Sequence, residues 1–157
     1  MLAVRPLTAG DLPTAVAIVR GLPDYFTDDV PGKVERDCAR GDAWVLTESG
    51  EVAAFAVTLR KSPGGAEIAW FAVEAARRRH GLGTALLGQV IDALAASGVA
   101  VVEVKTLDAS AGYPPYEATR AFWERGGFVL VDTIDPLPDW EPGSPAAVYV
   151  AAVRPTR

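Results

Sequence analysis

Along this 157-residue chain the apolar positions recur at two spacings, every third or fourth residue in some stretches and every second in others. Leu2 to Leu7 reads as a short strand. Thr8, with Asp11 three residues later, forms a capping box that opens a helix running to Arg20. Gly21-Leu22-Pro23-Asp24 breaks that helix, and a shorter one runs from Pro31, favourable as a first helical residue, to Arg40 before Gly41. Ala43 to Thr47 and Val52 to Arg60 are extended and apolar, and the turn-forming cluster Glu48-Ser49-Gly50-Glu51 joins them as a hairpin.

Ser62-Pro63-Gly64-Gly65 punctuates the chain before a strand from Glu67 to Val73. From Gly83 to Ala96 the residues Ala85, Leu86, Val90, Ile91, Leu94 and Ala95 fall at helical spacing until Ser97-Gly98 stops the pattern. Val99 to Leu107 sets Val102, Val104 and Thr106 against Val101, Glu103 and Lys105, the mark of a strand with unequal faces. A short helix, Glu117 to Arg125 with Ala121 and Phe122 inward, ends at Gly126-Gly127. Phe128 to Thr133 and Ala146 to Val153 form the last strands, joined by an acidic, proline-rich loop carrying Trp140. This mixed order predicts one α/β or α+β layer fold over residues 1–157, without repeat or interdomain linker.

Composition adds limits. Half of the residues are hydrophobic and 22% are charged, enough apolar surface for a continuous core and too little polarity for disorder. The net charge of −5 argues against a protein that coats nucleic-acid phosphates, so any polyanion site must be local. Cys38 stands alone, which excludes an internal disulfide and a Cys-paired zinc site. The first residues carry no basic region followed by an apolar stretch, and no run approaches about 18 apolar residues, so neither export nor membrane insertion is expected. A cytoplasmic location is the expectation.

One segment breaks the acidic trend. Arg77-Arg78-Arg79-His80-Gly81-Leu82-Gly83-Thr84 lies between a predicted strand and a predicted helix. A helix start offers unpaired N–H groups and partial positive charge, glycines let a phosphate approach the backbone, and arginines add fork-shaped donors. A Walker A loop would need Gly-Lys-Ser/Thr, which is missing. A dinucleotide fingerprint would need a third small residue where Leu86 stands.

Arg78-x-x-Gly81-x-Gly83 resembles the R/Q-x-x-G-x-G/A signature of the GNAT N-acetyltransferases, and Ala121 to Phe128 is similar to that family's closing helix-and-strand element. The resemblance covers the chain weakly in its first third and well from Glu67 to Phe128. It implies a central mixed, mostly antiparallel sheet of about six to seven strands flanked by about four helices, with a V-shaped splay between strands 4 and 5. It implies direct transfer of acetyl from acetyl-CoA to a primary amine, with no metal. Pantetheine would pair with the backbone of Phe71, Ala72 and Val73. The pyrophosphate would rest on the amides of Arg79, His80, Gly81, Leu82, Gly83 and Thr84, with Arg78 leading the motif and Trp123 contributing to the cofactor site.

Relatives often place a tyrosine on the closing helix to protonate the leaving sulfur, but Trp123 occupies that position and an indole N–H is too weak an acid. Tyr116 is the substitute acid, with Tyr113 next. For the base, Glu67 is preferred over Glu74 and Glu103, and bulk water is the alternative. A second function, a CoA-binding regulatory module that has lost turnover, is favoured by Trp123.

Several residues have plainer readings. Arg77 is taken as a solvated neighbour, His80 as structural or phosphate-side, and Cys38 as a packing residue. Trp44, Trp70 and Trp123 count as core aromatics, and Trp140 as a pocket candidate. Asp132, Asp135, Asp139 and Glu141 either attract a cationic amine or are merely solvated. The family resemblance allows a homodimer, for which the apolar final strand from Ala146 to Val153 could serve as an edge, or an edge covered within a monomer.

Overall fold

The computed structural model describes residues 1–153. Seven strands form one sheet: β1 (Leu2–Pro6), β2 (Asp42–Glu48), β3 (Glu51–Ser62), β4 (Gly65–Val73), β5 (Val101–Leu107), β6 (Val129–Ile134) and β7 (Ala146–Ala152), in the order β1-β2-β3-β4-β5-β7-β6. Only the β4–β5 pair is parallel. The crossover between them is α3 (Leu82–Ala96), as a parallel connection requires. The other helices are α1 (Leu12–Arg20), α2 (Val30–Arg40) and α4 (Tyr116–Arg125).

Two apolar layers sandwich the sheet. On one face Ala15, Ile18 and Val19 of α1 and Val34 of α2 bury against Val45, Phe55, Val57 and Ala72. On the other, Leu86, Leu87, Val90 and Leu94 of α3 and Trp123 of α4 meet Leu46, Ala54, Ile68, Val102, Val104 and Tyr149. The predicted alternation on β5 holds, with Val102, Val104 and Thr106 buried.

Details at the element ends differ for local reasons. The Thr8–Asp11 box exists, but it caps a 3-10 turn, Ala9–Asp11, ahead of α1. The Asp11 carboxylate accepts from Thr8 N–H at 2.8 Å and from both terminal nitrogens of Arg5, at 2.6 and 3.0 Å. Those bonds, Arg5 first, hold its carboxyl well below the usual carboxylate range. α4 begins at Tyr116, and its deeply buried residue is Trp123, with Ala121 and Phe122 only half-buried. The final strand is a correction: β7 lies inside the sheet between β5 and β6, because both neighbours pair with it, and β6 forms that edge. Among the described residues no helix is long and apolar enough to cross a membrane.

Candidate functional site

The site begins with a fault in the sheet. On β4 the β3 partners step from Trp70 (opposite Val57) to Ile68 (opposite Thr58), so Ala69 is an extra, bulged residue. Just there the parallel ladder ends: Gly65 to Ile68 pair with Val101 to Val104, and nothing beyond. Past Ile68, β4 stays paired to β3 as far as Val73, while past Val104, β5 stays paired to β7 as far as Leu107. The two strands therefore part with their facing backbone edges free, and Phe71, Ala72 and Val73 line one side of the opening. Backbone groups left open at such a gap need a partner, and an extended amide-bearing chain would supply one.

Beyond Val73 the chain makes a 3-10 turn, Ala75–Arg77, and then the glycine loop. Arg77 is no solvated bystander. It pairs with Glu48 at 3.0 Å and with Glu74 at 2.8 Å, and it also binds Glu51, tying the loop to the β2–β3 hairpin. Arg79 and Gly81 both take positive φ, 67° and 77°, which turns the chain sharply into α3. The N–H groups from Gly81 to Thr84 find no intramolecular acceptor among the described residues, and no side chain caps the helix. Arg79, His80 and Thr84 are exposed, while Leu82 is buried and anchors the first turn.

The two glycines act differently. A Cβ on Gly81 would meet nothing within 4 Å, so backbone conformation alone calls for glycine there. A Cβ on Gly83 would lie 3.3 Å from Phe122 Cε2 and 3.6 Å from Val73 Cγ2, so here glycine lets α3 seat against α4 and the end of β4. The open donors, the helix dipole and the adjacent arginines fit a pyrophosphate.

Arg78 contrasts with Arg77. Its guanidinium carbon lies 4.5 Å from the centroid of the Tyr25 ring, and among the described residues it has no carboxylate or hydrogen-bond partner. Tyr25 belongs to the α1–α2 connection, which is knitted to the segment leading into α4. The Tyr25 hydroxyl donates to the Pro115 carbonyl at 3.1 Å, Tyr113 donates to the Asp24 carbonyl at 2.8 Å, and Tyr116 donates to the Tyr25 carbonyl at 2.5 Å.

Tyr116 thus stands apart from the role of proton donor expected from its position. Its hydroxyl is engaged by the Tyr25 carbonyl, and burial pushes its pKa up to about 12, which disfavours proton release to a thiolate. Trp123 has the core setting of its plainer reading. Only 4% exposed, its ring packs edge-on against Phe71, Phe122 and Phe128 at 5.3, 5.0 and 5.2 Å, and it reaches the opening only through its contact with Phe71.

Glu67 sits one residue before the ladder ends, 9% exposed, with Lys105 Nζ at 3.1 Å and Lys61 Nζ at 3.8 Å. Lys105 also reaches Glu103 at 3.3 Å. Burial works against the Lys105 charge, but Glu67 and Glu103 outweigh it and its pKa rises. Glu74 is committed to Arg77. Of the acidic loop, Asp139 lends its carbonyl to Lys33 Nζ at 3.1 Å, fastening the β6–β7 connection to α2, and Asp135 accepts from Gly143 N–H at 3.2 Å. Tyr25 and Lys105 escaped the sequence reading. An aromatic residue in a Gly/Pro-rich break was the only signal for the first, and a cation on the outward register of β5 the only one for the second.

A known family's model covers the part of the chain that carries the β4–β5 opening and the glycine loop. Residues 15–128 match the model of the acetyltransferase (GNAT) family. No curated protein matches in sequence. Among solved structures, the Escherichia coli ribosomal-protein-S18-alanine N-acetyltransferase superposes with a TM-score of 0.77 at 26% identity, covering 100% of this chain and 97% of that one. A GNAT-family structure from Desulfovibrio desulfuricans gives a TM-score of 0.79 at 22% identity, over 97% and 99% of the two chains. An Elizabethkingia anophelis GNAT acetyltransferase with acetyl-CoA bound gives 0.75 at 19% identity, over 97% and 98%.

Proposed function

The chain belongs to the GNAT acetyltransferase family, and on that premise we propose that it transfers acetyl from acetyl-CoA directly to a primary amine. The observation that carries this reading is the continuity of the site. The opening between β4 and β5 leads, past Val73, to the unpartnered N–H groups at the start of α3. An extended pantetheine arm and a pyrophosphate need those two features in that order.

Acetyl-CoA supplies a thioester carbonyl that an amine can attack, with the thiol leaving. The residues of the chain bind and orient. The free edge of β4 from Phe71 to Val73 pairs with the amide arm, and an N–H of this edge donates to the carbonyl oxygen as negative charge grows on it. Gly81 to Thr84 hold the pyrophosphate, and Arg78 adds charge. Glu67, fixed between Lys105 and Lys61 at the closed end of the opening, accepts the amine proton through water. Tyr116 lends rigidity to the wall beside the cofactor, and water rather than a tyrosine returns the proton to sulfur.

One observation favours a second reading. With Tyr116 engaged and Trp123 in the core, α4 presents no free tyrosine hydroxyl, as expected of a CoA-binding module without turnover. Calorimetry with acetyl-CoA, followed by a mixed amine panel with free thiol detection, separates the two. Binding with amine-dependent thiol release is the expected result. Binding without release supports the module, and no binding overturns both.

A further inference from the structure

Among the cations of the glycine loop, only Arg78 lies over an aromatic face. Arg77 is spent on Glu48, Glu51 and Glu74, whereas Arg78 is half-buried and bears no hydrogen-bond partner among the described residues. Its guanidinium lies 4.5 Å from the centre of the Tyr25 ring. A guanidinium laid on a ring loses one face to it and keeps the N–H donors of its rim, so stacking holds the group without using what a phosphate would need.

The ring itself is fixed from several sides. Its hydroxyl donates to Pro115 O at 3.1 Å, its own carbonyl accepts from Tyr116 at 2.5 Å, and the Tyr116 ring packs against it at 5.3 Å between centroids. An unstacked arginine of this length would lose much rotamer freedom on meeting a phosphate, and a rigid platform removes that cost before binding.

We propose that Tyr25 is a positioning residue for the cofactor: it presents the Arg78 guanidinium, rim outward, to the pyrophosphate of acetyl-CoA. The inference rests on the reading of the glycine loop as a pyrophosphate cradle and assigns to the α1–α2 connection, which lies outside both sequence motifs, a part in cofactor affinity. The hydroxyl of Tyr25 serves the platform, and the face of its ring serves Arg78.

A double-mutant cycle on the full chain tests it, with CoA affinity read by calorimetry for the parent, Tyr25→Leu, Tyr25→Phe, Arg78→Met and the Leu/Met double variant. In the parent background Tyr25→Leu should weaken CoA binding by about five- to tenfold, the range that a partly buried cation–ring contact implies. Tyr25→Phe, which keeps the ring, should stay within about twofold of the parent. In the Arg78→Met background Tyr25→Leu should change nothing further. An equal loss in both backgrounds, or a loss in Tyr25→Phe as large as in Tyr25→Leu, would show a merely structural loop contact and overturn the inference. So would an unchanged affinity in Tyr25→Leu. A parent that fails to bind CoA would instead remove the cradle reading itself, a result distinct from these.

Discussion

Gly81 and Gly83 stand two residues apart in one loop, yet they should respond differently to the same methyl group. At Gly81, φ is 77° and ψ is 8°, so an alanine must hold the left-handed conformation, at about 1–2 kcal/mol. No neighbour lies within 4 Å of the added Cβ, so no steric term is added. Asparagine visits that region more readily and should lose clearly less than alanine. At Gly83 the backbone is helical, where alanine gains roughly 1 kcal/mol in propensity. The new Cβ, however, presses on the Phe122 ring at 3.3 Å, and the ring must yield by a few tenths of an ångström. Gain and contact should nearly cancel, while Gly83→Val adds further methyls against Phe122 and Val73 and should cost about 1–3 kcal/mol. Urea unfolding followed by tryptophan fluorescence reads these differences as midpoint shifts at unchanged slope. Equal losses for Gly81→Ala and Gly81→Asn, or a loss in Gly83→Ala as large as in Gly81→Ala, would refute the assignment of one glycine to backbone conformation and the other to close packing.

Trp123→Ala should cost about 3–5 kcal/mol and Trp123→Phe markedly less, because the ring is buried among Phe71, Phe122 and Phe128. A loss of CoA affinity with intact stability would return Trp123 to the cofactor site. Arg77→Gln should loosen the β2–β3 hairpin while leaving CoA affinity near the parent value, whereas Arg78→Gln should weaken CoA binding and leave the melting temperature nearly unchanged. Calorimetry and thermal melts decide between them, and swapped outcomes would undo the division of labour. Asp11, whose folded carboxyl lies below its unfolded value, stabilises the fold in full above that unfolded value, near about pH 4. Its contribution is lost as pH falls from there, so the stability gap between the parent and Asp11→Asn should be largest at neutral pH and shrink toward about pH 2. A gap that is constant across acid unfolding curves would contradict the Arg5–Asp11 pairing.

The order of elements was legible because each carries its own period and its own stop signal. The α3 face, the β5 alternation and the Ser97-Gly98 stop all depend on residues close in sequence. The bulge and the splay were not legible from periodicity. They follow from where the β4–β5 ladder ends, a pairing between segments separated by the whole of α3, and only the family resemblance anticipated the splay. The same distance in sequence hid the partners of the candidate site residues. Glu67 looks like an ordinary strand carboxylate until β5 brings Lys105 to it. Tyr116 looks like a free acid until the α1–α2 connection, 91 residues away, takes its hydroxyl. Helical spacing did not single out Trp123 as the inward residue either, because a short helix packed against an aromatic cluster buries the bulkiest ring rather than the middle of its apolar stripe.

These placements bear on chemistry. The groups that the sequence offered as acid and base are the ones the fold has tied down, Tyr116 by a carbonyl and Glu67 by two lysines, while the backbone N–H donors of the glycine loop and the Arg78 guanidinium have no acceptor among the described residues. Unpartnered donors at a helix start and along a parted strand suit binding and charge stabilisation, which need fixed dipoles and no proton exchange. A site so built gains most from holding the thioester and the amine in line, and proximity of that kind can supply several kcal/mol of a barrier without a strong acid. With Glu67 held by two lysines and proposed to take the amine proton only through water, the arrangement would favour an acceptor that is already neutral when it reaches the thioester. On this view Arg78, set over the Tyr25 ring, would serve the cofactor by position rather than by proton exchange.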